Sequence, residues 1–385
     1  MTKRIVVKLG TNILTKNSTN LDKKTIDQIT DQISTLNKLG NEILIVTSGA
    51  VTAGKQIMIS KKSNVDLNNK KISFRQGLAA IGQPELMTAY KKSFNRHNII
   101  ISQILLTRDD LNIRKRYLNF RNTLENLLSS KIVPIINEND VVSVDELAGN
   151  NFGDNDTLSA MVSNTIDADL LVLLGEVDGF YSSDPFNNTE AKIIPKITEI
   201  THEIRSYAKD SHDEHGTGGM KSKIEAADLS MSSGIKMVIA SGYTKNILIR
   251  LNKSEDIGTV FIPKVDRLEA RKRWILSGKN NSSGKIRVDM GADTAIKENG
   301  NSLLPVGVLD VINSFKRGDI IEVINSKNHS ICWGITNYDS SEIIKIKGVN
   351  SDNIESILGH SYGEEVVHRN NMAITEKYKD FQIED

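Results

Sequence analysis

Five stretches of this chain place charged, amide or small polar side chains where apolar, strand-like runs end. In open α/β sheets that is where ligands bind. Val7-Lys8-Leu9-Gly10-Thr11 sets a lysine inside an apolar run. A lysine there loses hydration unless an anion meets it. A strand-edge lysine facing water is the plain alternative. Thr47-Ser48-Gly49-Ala50 is a small turn that lets a ligand approach the backbone, although a simple tight turn explains it equally well. Ile136-Asn137-Glu138-Asn139-Asp140 carries two amides and two acids, a good grip for an α-ammonium group and also the composition of a solvated loop. Gly153-Asp154-Asn155-Asp156 opens a helix-like segment with more Asp and Asn than one cap requires. Gly216-Thr217-Gly218-Gly219-Met220-Lys221-Ser222-Lys223 puts lysines in a first helical turn behind glycines. Backbone N–H groups and the helix dipole attract phosphate there. Lysines oppose that dipole, and a phosphate would compensate them. A flexible loop is the alternative.

Other candidates read less well. Gly49–Lys55 matches P-loop spacing until Gln56, where the motif needs a Ser or Thr hydroxyl. His202, His212 and His215 lie in a polar stretch without cysteine, which suits surface histidines better than zinc. No metal ligands are assigned. Cys332, between Ile331 and Trp333, reads as core. Ser48 has no nucleophile elbow and no partner base.

The elements that must hold these residues alternate over the first 263 residues. Strands are expected at Ile5–Leu9, Ile43–Val46, Ile99–Leu106, Ile132–Ile136, Leu170–Leu174 and Met237–Ala240. Helices are expected after Asp22, with Ile26, Ile29, Ile33 and Leu36 at helical spacing and Gly40 as the stop. Further helices are expected from Pro84 to Phe94, over Tyr117–Leu128, from near Asp156, and over Lys221–Ser233, closed by Gly234. This alternation predicts a three-layer α/β/α sandwich with a mainly parallel sheet. After a linker at 264–284, which includes the basic Arg267–Trp274 stretch, short strands are expected at Lys285–Val288, Gly307–Val311, Asp319–Val323, Ile331–Ile335 and Ile343–Ile346. They predict a small β-rich domain over 285–375, followed by a polar tail at 376–385.

The composition sets limits. Of 385 residues, 38% are hydrophobic and 25% charged, and 49 Lys and Arg balance 48 Asp and Glu. That excludes a disordered polar chain, a collagen-like repeat and a strongly basic coat protein. The single cysteine excludes an intramolecular disulfide framework and suits a reducing, cytoplasmic setting. No apolar run approaches the ~18 residues of a membrane span. Met1–Gly10 reads as a strand, not a signal peptide.

Taken in order, the strings VVKLGT at 6–11, IVTSGAV at 45–51, LLTR at 105–108, VPIINEND at 133–140, FGDNDTLSA at 152–160, YSSDP at 181–185 and GTGGMKSK at 216–223 resemble the amino acid kinase family. Within it they look like the branch that phosphorylates the γ-carboxylate of glutamate. The C-terminal strings RKRWI at 271–275, SLLPVGV at 302–308 and VVHRNNM at 366–372 resemble a PUA domain. The resemblance implies ATP and Mg2+, L-glutamate as substrate, and γ-glutamyl phosphate as product. It implies proline as a feedback inhibitor, a homo-oligomer (dimer or tetramer), and a glutamyl phosphate reductase acting next. By matched position, Lys8 and Lys223 would neutralise the transferring phosphoryl group, with Asp156 holding both. Ser48, Asp140 and Asn155 would bind glutamate. Lys8, Gly10, Gly175, Glu176, Thr217, Gly218, Gly219, Met220, Lys221, Ser222 and Lys223 would line the ATP site.

Three departures stand out. Gly175-Glu176 occupies a position that is commonly Thr-Asp, the Ala148–Asn151 loop is longer than usual, and Lys221-Ser222 replaces Ser-Thr or Ala-Thr. A PUA domain also raises an RNA-binding reading. Residues 285–385 hold 11 Lys and Arg against 16 Asp and Glu, a net of −5, whereas the rest of the chain is +6. An acidic domain with sparse aromatics lacks the basic footprint of a nucleic-acid binder.

Overall fold

In the computed structural model, the described residues are 2–16, 18–62, 65–67, 69, 71–143, 155–185, 188–208, 219–277 and 284–375. The expected features at Gly153–Asp154, the Ala148–Asn151 loop, His212, His215, Thr217, Gly218 and the 376–385 tail lie outside them. The chain divides into two compact units, one of residues 1–111 and 123–266, the other of 112–122 and 267–385.

The first unit is built on eight strands: β1 (Arg4–Leu9), β2 (Glu42–Thr47), β3 (Ile101–Leu106), β4 (Val133–Glu138), β5 (Leu170–Gly175), β6 (Lys196–Ile197), β7 (Lys236–Ser241) and β8 (Thr259–Phe261). Their order is β3-β4-β2-β1-β5-β7-β8-β6. All neighbours run parallel except β7 and β8. A central strand in such a sheet is covered on both faces, so it is apolar throughout. After Arg4 at its start, β1 obeys this rule but for Lys8, which is only 5% exposed.

Side chains alternate along β1, so Ile5, Val7 and Leu9 share one face. They join Ile26, Ile29, Ile33 and Leu36 of the Lys23–Lys38 helix in one buried core. Asp22 caps that helix as its position predicts, accepting from the Lys24 backbone N–H at 3.1 Å and the Thr25 hydroxyl at 2.7 Å. Val6 and Lys8 take the other face, on which the Asn155–Thr165 helix packs against the Met220–Ser232 helix.

Several expectations fail for physical reasons. Pro84 does not open a helix; it sits inside one running from Ile72 to Asn95. Packing overrides the proline. A Cβ at Gly82 would lie 1.9 Å from the Ala50 carbonyl oxygen, and one at Gly54 2.0 Å from that of Leu78. The Ala50–Ser60 and Ile72–Asn95 helices therefore approach backbone to backbone. Gly54 is thus a packing glycine inside a helix, and the P-loop-like spacing is accidental. Gly49 precedes it at φ +101°, a turn that favours glycine.

Ile343–Ile346 is not a strand but the end of the Ser340–Ile346 helix. Asp339 and Glu342 form a capping box there, and Ile343 and Ile346 are buried at helical spacing while Ile344 is exposed. Gly307 closes a 3₁₀ turn instead of starting a strand.

The second unit contains β9 (Lys285–Val288), β10 (Val308–Ile312), β11 (Ile320–Ile324), β12 (Ser330–Ile335) and β13 (Met372–Ile374), in the order β10-β9-β11-β12-β13. The stretch expected as a linker carries the Arg267–Ser277 helix. Leu118, from the segment 112–122, is buried with Ile275, Ile320, Ile335 and Ala373. Asn119 Oδ1 accepts from the Arg317 guanidinium, and Asn122 Nδ2 donates to the Tyr362 carbonyl at 3.2 Å. Cys332 is fully buried, and burial pushes its thiol up to about 12.

The helix contact yields a paired test. Gly82→Ala forces a methyl into backbone atoms and should cost about 3 kcal/mol, at the upper end of overpacking. Gly77, in the same helix, has nothing within 4 Å of its would-be Cβ. Gly77→Ala should instead stabilise by about 0.5–1 kcal/mol. Urea denaturation of both variants reads the difference.

Candidate functional site

The carboxyl ends of β1, β2, β4 and β5 meet the N-termini of the Asn155–Thr165 and Met220–Ser232 helices. Each candidate residue gets its place from one of these ends. Lys8 is the penultimate residue of β1, Ser48 follows β2, Asn137 and Glu138 end β4, and Gly175 ends β5.

At the centre is a buried carboxylate between two ammonium groups. Lys8 Nζ lies 2.5 Å from Asp156 Oδ1, and Lys223 Nζ lies 3.2 Å from Asp156 Oδ2. The Ser222 hydroxyl donates to Asp156 Oδ2 at 3.0 Å. The three charged side chains are 7%, 13% and 0% exposed for Lys8, Lys223 and Asp156. Burial by itself would push the Asp156 carboxyl up, but Lys223 and Lys8 overcome it and hold the group well below the usual carboxylate range. Asp156 also sits at a helix N-terminus, where the dipole favours an anion. Lys223, in the first turn of its own helix, is compensated by this carboxylate.

The glycines expected at the nucleotide side border the same lysines. A Cβ at Gly10 would lie 3.8 Å from Lys8 Nζ, and one at Gly175 3.8 Å from Lys223 Cε. Bare backbone thus flanks both ammonium groups, and an anion can reach backbone and lysine together. Gly219 caps the Met220–Ser232 helix with no side-chain hydrogen bond. Met220 follows it half-buried, while Lys221 points into solvent. Glu176, the longer acid at the departure, is held by Asn12 Nδ2 at 2.8 Å.

Ser48, Asn155 and Asp140 lie on the other side. Asn155 Nδ2 donates to Ser48 Oγ at 3.0 Å and to Asn137 Oδ1 at 3.5 Å. Asp140 follows β4 and is 9% exposed. Burial first, then the charge of Glu138, pushes its carboxyl up to about 7, against the pull of Arg75. Glu138 accepts from the Ser143 hydroxyl at 2.5 Å. Sequence reading did not single out Gln83, whose Oε1 accepts from Asn137 Nδ2 at 2.9 Å. Nothing in a helix centred on a proline signals such a contact.

Among the described residues, no cluster of three or more His, Cys, Asp or Glu could cage a metal. His202 is exposed. Both oxygens of Asp156 already face lysines. Mg2+ fits this set as an ion carried mainly by phosphate oxygens, which is its habit with nucleotides. Among the described residues, no helix is long and apolar enough to cross a membrane.

Comparison with known proteins agrees in extent and in kind. The amino acid kinase family matches residues 3–241, and the PUA domain matches 284–358. A glutamate 5-kinase from Dehalococcoides mccartyi (strain CBDB1) is 45% identical over 372 residues, covering 97% of this chain and 98% of its own length. One from Thermoanaerobacter sp. (strain X514) is 42% identical over 378 residues, covering 98% and 99%.

The central carboxylate makes a pH-linked prediction. Its folded pKa is depressed, so its stabilisation is present above the unfolded value of 3.8 and fades as pH falls below it. Asp156→Asn removes the carboxylate that Lys8 and Lys223 share. It should cost about 3–5 kcal/mol at neutral pH, with the gap to the parent narrowing below the unfolded value. Denaturant melts at neutral and acid pH measure both.

Proposed function

The chain belongs to the amino acid kinase family, and we propose that it works as a glutamate 5-kinase. It transfers the terminal phosphoryl group of ATP to the γ-carboxylate of L-glutamate, the first step toward proline. The observation that carries this reading is the buried Lys8–Asp156–Lys223 bridge beside bare glycine backbone, with the Ser48–Asn155 pair and Asp140 on its other side.

The chemistry suits these residues. A carboxylate is already ionised at neutral pH, so the nucleophile needs no base. One carboxylate oxygen forms a bond to the terminal phosphorus. The bond from that phosphorus to the ADP oxygen breaks, and its electron pair leaves with ADP. What remains is alignment and charge. We assign charge neutralisation on the moving phosphoryl group to Lys8 and Lys223, and their positioning to Asp156. Ser48 and Asn155 orient glutamate, and Asp140 meets its ammonium group. Gly10, Gly175, Glu176 and the Thr217–Lys223 segment bind the nucleotide. Bound with the nucleotide, Mg2+ would supply further charge neutralisation beside Lys8 and Lys223.

In this reading, catalysis belongs to residues 1–263, and 285–375 form the PUA-like domain. A cytoplasmic setting, feedback by proline, a homo-oligomer and a reductase acting next accompany it as expectations from the family.

The direct test is Mg2+-dependent ADP release with and without L-glutamate, with hydroxylamine present to trap the acyl phosphate. Glutamate-dependent ADP and hydroxamate are expected. ADP release with another carboxylic acid and not with glutamate would sink the reading. Lys8→Ala and Lys223→Ala should each lower kcat by about 10²–10³, the typical loss of one preorganised charge (about 2.7–4 kcal/mol).

Asp140 adds a pH signature. With its carboxyl near 7, and with Glu138 and Arg75 facing it, acidification protonates the group that must meet the ammonium. The KM for glutamate should therefore rise as pH falls through about 7, with the ATP KM flat. Asp140→Asn should hold that KM high and flat, with the gap to the parent closing as pH falls below about 7. For stability the sign is opposite to that of Asp156. Raised above 3.8, Asp140 contributes a loss of stability as pH climbs toward 7.

A further inference from the structure

Gln83 has no part in the roles above, yet it is bonded into the amides that orient glutamate. It lies in the Ile72–Asn95 helix and is 7% exposed. Its Oε1 accepts from Asn137 Nδ2 at 2.9 Å. Asn137 Oδ1 accepts from the Glu138 backbone N–H at 3.0 Å and from Asn155 Nδ2 at 3.5 Å. That same Asn155 Nδ2 donates to Ser48 Oγ at 3.0 Å.

Donors and acceptors in this row have a fixed sense. A flip of Asn137 would turn its own Nδ2 toward two donors, the Glu138 N–H and Asn155 Nδ2. The unflipped amide leaves one Asn137 N–H pointing at Gln83, and Oε1 is the acceptor that meets it. Gln83 Nε2 is buried with no hydrogen-bond partner among the described residues. Gln83 therefore acts here through its oxygen. Its helix cannot slide, because Gly82, the preceding residue, is pressed against the Ala50 carbonyl just beyond Ser48 and Gly49.

We propose that Gln83 is a positioning residue for glutamate: it locks the Asn137 amide, so that Asn155 and Ser48 present one pattern of donors and acceptors to the substrate. This rests on the glutamate kinase reading. A side chain that only fills space would move stability, or both KM values, together. A positioning residue moves the glutamate KM alone, and only through Asn137.

The test uses the full-length protein and the hydroxamate assay. Gln83→Met keeps length and helix propensity but removes the acceptor. The glutamate KM should rise about tenfold, the upper range for one lost oriented hydrogen bond. The ATP KM should stay within about twofold, and Gln83→Leu should behave alike, giving a second reading should the Met variant not fold. Asn137→Ala should raise the glutamate KM as well, and adding Gln83→Met to it should change that KM by less than about twofold. An unchanged glutamate KM in the single variants, an equal rise in both KM values, or effects that multiply in the double variant would overturn the proposal. Parent protein that yields no glutamate-dependent hydroxamate would instead overturn the kinase reading itself.

Discussion

The first unit is organised around one electrostatic constraint: a carboxylate with no exposure must sit between two nearly buried ammonium groups. Each charge alone would be costly to bury, and only the shared carboxylate lets both ammonium groups be buried together. Lys8 comes from the middle of the sheet, Asp156 and Lys223 from two different helix N-termini. Meeting at hydrogen-bond distance fixes both helices against β1 and against each other. The pairing also leaves a net positive charge. It is stable by itself and still attractive to a phosphate.

The rest of the site is arranged on the same plan. Strand ends supply side chains on short leashes, and helix N-termini supply backbone N–H groups and the positive end of the helix dipole. Glycines stand where backbone must be bare, at Gly10 and Gly175 beside the two lysines. The side we assign to glutamate is built from amides instead of charges, apart from Asp140 and Glu138. In the proposed reading, a hydrogen-bonded wall of amides can hold the carboxylates of a zwitterionic substrate without repelling them, while the positive charges serve the phosphoryl group.

Much of this was legible in the sequence. β1, β2, β4, β5 and β7 follow from apolar runs, and the Lys23–Lys38 helix from its spacing and its Asp22 cap. The misses share a cause. Pro84 argued for a helix start, but contact with the Ala50–Ser60 helix outweighed it. Ile343–Ile346 looked like a strand because a short apolar run fits either period, and only the Asp339–Glu342 box decides. A lysine in a strand signals that some anion is needed. It cannot say that the anion is Asp156, because the partner lies far along the chain. Gln83 was invisible for the same reason.

The second unit is discontinuous in sequence, and this bears on the order in which the protein can be made. Leu118 and Asn119 leave the ribosome long before Ile275, Arg317, Ile320, Ile335 and Ala373, with which they pack. The segment 112–122 must therefore wait, its apolar side uncovered, while most of the first unit is synthesised around it. Folding of this chain cannot proceed as two finished beads in series. The early segment is a place-holder for the late domain, and a polypeptide halted before its last third would carry an exposed seam that invites chaperones or aggregation.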